Sequence, residues 1–217
     1  MTYPILELTR FDRVMRNNVY IDACRYLMAD DEGSPATMAS YMADCIKRHS
    51  FNAGEPRYWS FASFAFKRHD KSAISCNTTI VLEYAKHAMS DVLAELADMN
   101  VAHWIVDTET SSENRFAVII PTTEAILNEQ RSNRYTRAAS VLIDQIGVNG
   151  VISGSIAPTF LIRPIGNAIV QGFPGNVLDV TAFIADTASR KAKAKLYMVG
   201  QAEAAPEDAL FDWGSGR

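Results

Sequence analysis

Between Ile80 and Pro121 the chain spells out a strand, a helix and two further strands, and that order constrains what the rest can fold into. Thr78 to Tyr84 is apolar and β-branched, as a strand buried on both faces should be, and its apolar run Ile80-Val81-Leu82 ends in a single acid, Glu83. Lys86 to Asn100 carries leucine, alanine and methionine at helical spacing. Val101 to Val106 and Arg115 to Ile120 then read as two strands, joined by a polar turn from Asp107 to Asn114.

The flanks are read around this unit. Phe11, Val14, Met15, Val19, Ala23, Tyr26 and Leu27 repeat at helical spacing, which predicts a helix over Phe11 to Ala29, stopped by the cluster from Asp30 to Pro35. Pro35 suits the entry to a second helix, Ala36 to Arg48. After the central unit, Thr122 or Thr123 with Glu124 predicts a capped helix running to Ile146, with a break near Ser132-Asn133 and an end at Gly147. Short strands are expected at Val151-Ile152, Thr159 to Arg163, Ala168 to Gln171 and Val177 to Phe183. Gly172-Phe173-Pro174-Gly175 reads as an ordinary turn. The expected architecture is α+β, a mixed or antiparallel sheet covered by helices. One domain should span residues 1–200, with a helical start over about residues 1–50, followed by a flexible acidic, aromatic tail over residues 201–217.

Composition excludes several classes. At 217 residues and 48% apolar, the chain can bury a sizeable core. No apolar run approaches the ~18 residues that span a bilayer, and the amino terminus lacks a basic region followed by an apolar core, so the expectation is a cytoplasmic protein with no membrane partner. Cys24, Cys45 and Cys76 form no paired framework, and Cys45 and His49 with His69 and Cys76 match no compact zinc module, so no metal and no cofactor is expected. There is no Walker-type loop and no G-x-S-x-G elbow. The net charge of -4 is uneven: residues 201–217 hold four acids and one base, or -3, which leaves -1 for the first 200 residues. A near-neutral body with local basic clusters can still bind phosphate.

The order around Glu83 resembles the primase-polymerase domains of phages and plasmids. In that family an apolar strand ends acid-x-acid to hold divalent cations, and here the matching residues are Glu83 and Ala85. The family's turn histidine has no counterpart between Thr108 and Asn114. Its arginine position is occupied by Ala117, with Arg115 two residues earlier on the same face, and the stretch Val151 to Pro164, where a third acid should fall, contains no Asp or Glu. The resemblance therefore implies a primase-like fold that has lost catalysis and is not an enzyme, with a groove shaped for a nucleic-acid strand. As a whole the chain looks like the small phage proteins described as single-stranded DNA-binding RNA polymerase cofactors, which implies phage RNA polymerase or replication proteins as partners and action in transcription and replication.

The residues supply candidates for that role. Arg57 to Lys71 interleaves five aromatics with four bases, the composition single-strand binding requires. Its expected contacts are Arg57, Tyr58, Trp59, Lys67, Arg68 and Lys71, with core packing the alternative for the phenylalanines. Arg131, Arg134, Tyr135 and Arg137 fall on one helix face, which is a binding face or a solvated one, and Arg115 and Arg163 add single cations. Arg190, Lys191, Lys193 and Lys195 would attract phosphate beside a groove, or serve as solubilising surface. The tail residues Glu207, Asp208, Leu210, Phe211, Asp212 and Trp213 resemble the acidic, aromatic-ended tails of single-stranded DNA-binding proteins, which suggests partner binding or docking on the body. A homo-oligomer is compatible with all of this. Two rival readings remain: a divergent nucleotidyltransferase using Glu83 with Glu109 or Glu113, and a protein-interaction module that inhibits a host enzyme.

Overall fold

The computed structural model describes residues 6–11, 23–28, 51–52, 55–56, 58–64, 74–109, 113–127, 131–157, 160, 162–165 and 170–187. Its centre is a five-stranded antiparallel sheet. Strand β7 (Ile74–Ala85) and strand β8 (His103–Glu109) both pair with β9 (Asn114–Leu127), β6 (Ala62–Phe64) extends the β7 side, and β10 (Val170–Phe173) extends the β8 side. A second antiparallel sheet orders β2 (Ala23–Met28), β1 (Leu6–Phe11) and β5 (Tyr58–Ser60), and a short pair joins β3 (Phe51–Asn52) to β4 (Glu55–Pro56). Two isolated parallel bridges, Val101 to Asn176 and Thr122 to Leu178, give the molecule its mixed character.

Helices cover one face of the large sheet. Alternation turns Ile80, Leu82 and Tyr84 of β7, Phe116, Val118 and Ile120 of β9 and Ile105 of β8 toward helix α1 (Met89–Asp98) and helix α2 (Arg131–Ile146). Val92 and Leu96 of α1 and Tyr135, Ala138, Ala139, Leu142 and Ile146 of α2 complete this core. The opposite face is also closed: Val81, Trp104, Val106, Ala117 and Ile119 are buried. Burial on both faces is why these strands read as continuous apolar runs rather than alternating ones. No helix among the described residues is long and apolar enough to cross a membrane.

The predicted central unit is present, and the α+β architecture with helices on an antiparallel sheet is as expected. Lys86 to Ala88 form a 3-10 turn into α1, and Asn100 ends that helix at φ 50, a left-handed position that asparagine tolerates. Gly147 ends α2 at φ 64, its N–H donating to the Ile143 carbonyl.

Four local expectations are corrected; the turn expected at Gly172-Phe173-Pro174-Gly175 starts later, because Gly172 and Phe173 still pair with Trp104 and His103 in β10. The helix over Phe11 to Ala29 is replaced, where the residues are described, by the antiparallel pair β1 and β2, in register from Leu6 opposite Met28 to Phe11 opposite Ala23. Leu6-Glu7-Leu8 and Cys24-Arg25-Tyr26 carry a two-residue alternation, and pairing made that period win over the helical one. The helix expected from Thr123 begins only at Arg131, because β9 continues to Leu127. The register of β9 against β7 slips between Asn77 and Thr79, and the Thr122 hydroxyl closes the bulge, lying 3.0 Å from the Thr78 carbonyl and 2.8 Å from that of Glu124, instead of capping a helix. The strand expected at Val177 to Phe183 gives way to a helix, α3, over residues 180–187. The Asp179 carboxylate accepts from the Ala182 N–H at 2.9 Å, an N-cap that starts it. The second helix expected at 36–48 and the strand-like 196–199 lie outside the described residues.

Candidate functional site

Because β7 and β8 both run against β9, the end of β7, the end of β8 and the start of β9 meet at one end of the sheet. Cross-strand rows place Val106, Ala117 and Glu83 side by side, and beyond them Thr108, Arg115 and Ala85. Residues two apart share a face, so Glu83, Thr108 and Arg115 converge. The Thr108 hydroxyl donates to Glu83 Oε1 at 2.7 Å, and Arg115 Nη1 donates to Oε2 at 3.3 Å. The other nitrogens of Arg115 turn outward, Nε to the exposed Glu113 at 3.1 Å and Nη2 to it at 3.0 Å. Glu83 is only 4% exposed. Burial pushes its carboxyl above the ordinary carboxylate range, and the Thr108 bond and the Arg115 charge offset part of that rise.

On the other face of the same strand ends, Tyr84 stacks on Phe116 at 5.8 Å between ring centres, and Asp107 forms an ion pair with Lys86. The end of the sheet thus gathers Glu83, Asp107 and Glu113 against Lys86 and Arg115. Two-metal nucleotidyl transfer needs carboxylates on one face with oxygens open to cations. Here the partner position of Glu83 is Ala85, both Glu83 oxygens are engaged, and Asp107 lies on the opposite face with its own lysine. Among the described residues no cluster of three or more His, Cys, Asp or Glu is placed to hold a metal ion.

The free edge of β7 beyond β6 is closed by backbone and tyrosine contacts. Tyr135 Oη accepts from the Val81 N–H at 3.1 Å, the Glu83 carbonyl accepts from the Ile152 N–H at 2.7 Å, and the Ala85 N–H donates to the Gly150 carbonyl at 3.0 Å. At the start of β8, His103 Nδ1 donates to the Val101 carbonyl at 2.8 Å while its ring stacks on Phe173 at 4.7 Å. Burial lowers the pKa of His103.

The expected contact residues separate into distinct groups. Trp59 is fully buried, and its backbone pairs with Ile162, so it is no platform for a base, which corrects that expectation. Tyr135 is likewise a core residue, because its hydroxyl serves the β7 edge. Tyr58 is half-buried on β5, and Arg163 is half-buried in the segment 162–165, beside the Thr108 to Pro164 bridge. Arg134 is held by Glu124 and Thr181, fastening α2 to β9 and α3, whereas Arg137 is exposed and Arg131 is the first residue of α2. Arg115 is tied to two carboxylates. Arg57, Lys67, Arg68, Lys71, Arg190, Lys191, Lys193, Lys195 and the tail residues Glu207, Asp208, Leu210, Phe211, Asp212 and Trp213 lie outside the described residues. The sequence reading missed Thr108, Asp107 and Lys86. A signal was there: Asp107 ends an apolar strand as Glu83 does, and Lys86 follows three residues after Glu83.

No family model matches the chain, and no curated protein sequence matches it. Among solved structures it is similar to the AEP domain of the cyanophage S-2L primase-polymerase (PrimPol), at 9% sequence identity and a TM-score of 0.41 over 83% of this chain and 87% of that one.

Proposed function

We propose that this chain is a single-stranded DNA-binding protein of a phage, without nucleotidyl-transfer activity, that acts in the host cytoplasm and recruits the phage RNA polymerase or replication proteins through its acidic tail. The observation that carries the loss of catalysis is the engagement of Glu83 by Thr108 and Arg115, with Ala85 where a second carboxylate would have to stand. With both oxygens of that buried carboxylate engaged and none supplied at Ala85, the set of hard oxygen ligands that a cation pair needs is not assembled at this strand end. DNA binding is supported by the interleaved aromatic and basic residues from Arg57 to Lys71 and by the exposed Arg137 on α2.

Fluorescence anisotropy with a labelled oligonucleotide at two salt concentrations tests the reading. Binding should weaken steeply as salt rises, since each phosphate contact releases a counterion. Salt-insensitive or absent binding would leave the protein-interaction module as the better account. A primer-extension assay with manganese addresses catalysis: extension that disappears in Glu83→Ala would overturn the inactive assignment.

A further inference from the structure

Arg115 is the cation at the strand ends whose two partners differ most. Glu83 is buried and fixed by Thr108, whereas Glu113 is exposed and holds the outer side of the guanidinium in solvent. An exposed pair is screened and readily exchanged, so the inner carboxylate is what restrains Arg115. Resting on the DNA-binding reading, we propose that Glu83 and Arg115 form a proton-gated phosphate site, in which protonation of Glu83 releases the Arg115 guanidinium to pair with a phosphodiester oxygen of the single strand.

The geometry supports a gate rather than a collapse. A neutral carboxyl still accepts the Thr108 hydroxyl bond, so β7 and β8 stay joined while the charge that holds Arg115 is lost. The groups around Glu83 come from several elements: the segment 162–165, bridged to Thr108 at Pro164, brings Arg163 to the β8 side of Glu83, and β8 itself ends in Glu109. From β8 there is Thr108, which does not titrate in this range; from β9 and the residue before it there are Arg115 and Glu113. The turn 150–152, which bonds the Glu83 backbone, carries no titratable side chain. Lys86 and Asp107 pair on the other face. Within these ion pairs the carboxylates outnumber the cations, so one proton on Glu83 lowers the repulsion that they offer to phosphate. Burial favours the uncharged carboxyl in the same direction. A guanidinium freed in this way offers the paired donors that suit phosphate.

The test is anisotropy of the full chain with a labelled oligothymidylate from about pH 8 to about pH 5 at fixed ionic strength; affinity should rise on acidification, by up to about tenfold per unit for one linked proton. Glu83→Gln, which mimics the neutral acid, should bind at neutral pH as tightly as the wild type does in acid, and should lose that part of the slope. Equal affinity and slope in the two proteins would overturn the gate and leave the DNA-binding reading standing. Absence of binding at every pH would remove the DNA reading, and the gate is then read without DNA, from the Arg115 Nη1–H resonance, the group that faces Glu83, in the wild type titrated with and without inorganic phosphate. A resonance that moves on acidification, and responds to phosphate only in acid, supports the gate; one unmoved by pH overturns it. This measurement needs no variant to fold.

Discussion

At Glu83, burial and pairing pull the same carboxyl in opposite directions, and burial wins. Its folded pKa lies above the ordinary 4.5, so near and above that value the native state holds more of the proton than the unfolded chain does. The stability contributed by this site is therefore full below 4.5 and is lost as pH rises through the raised folded value. Glu83→Gln should flatten that limb in a series of urea midpoints, and a wild type that gains stability over the same interval relative to the variant would mean that pairing wins. Glu83→Ala should be worse than Glu83→Gln by ~1–3 kcal/mol, because it strands the Thr108 hydroxyl and half of the Arg115 guanidinium. His103 has the opposite sign: burial lowers its pKa, so its contribution is lost as pH falls below 6.5, which is why the comparison with Glu83→Gln isolates the carboxyl. Gly175 is a steric case. A Cβ there would sit 2.5 Å from the Ala102 nitrogen and from the Val101 carbonyl carbon, so Gly175→Ala should lower the urea midpoint, by ~1–3 kcal/mol of overpacking, through displacement of the 100–102 backbone.

At the scale of elements, the length mismatch between β6 and β7 explains much of the fold. β7 runs eight residues beyond its last pairing with β6 at Asn77, and that exposed edge is served by Tyr135 and by the turn 150–152. Tyr135→Phe leaves the buried Val81 N–H without an acceptor and should cost ~1–3 kcal/mol with no change in far-ultraviolet dichroism. Asp179→Ala removes the cap of α3 and should cost about 1 kcal/mol, fraying residues 180–187 first in hydrogen exchange. The elements legible in the sequence are those whose own period matches their burial: the runs of β7 and β9, and the stripe Val92, Leu96 in α1. The elements misread are those settled by a distant partner. Thr122 and Glu124 carry a cap-like signal whose threonine is satisfied instead across strands at Thr78, and the tyrosine of α2 looks like a contact residue until β7 is seen to need an acceptor. Glu83 was legible as the acid that ends a strand, but its neutralisation was not, since Thr108 and Arg115 lie 25 and 32 residues away in sequence.

At the scale of the molecule, charge is divided between a body of residues 1–200 at -1 and a tail of residues 201–217 at -3. If the body binds a single strand, the tail competes with DNA for any basic surface it can reach, and it does so from the same chain, at an effective concentration that dilution does not lower. Deleting the chain after Gly200 should therefore leave single-strand affinity unchanged or raise it. The gain should be largest at low salt and should fade as the Debye length shrinks to about 8 Å near physiological ionic strength. A paired measurement sharpens the assignment: Lys67→Glu with Arg68→Glu should weaken binding in both the full and the shortened chain, and by more in the full one, where the tail adds repulsion to the lost contacts. If the shortened chain instead binds DNA more weakly at every salt concentration, the tail contributes contacts of its own, and Phe211 and Trp213 become the stacking residues to mutate next.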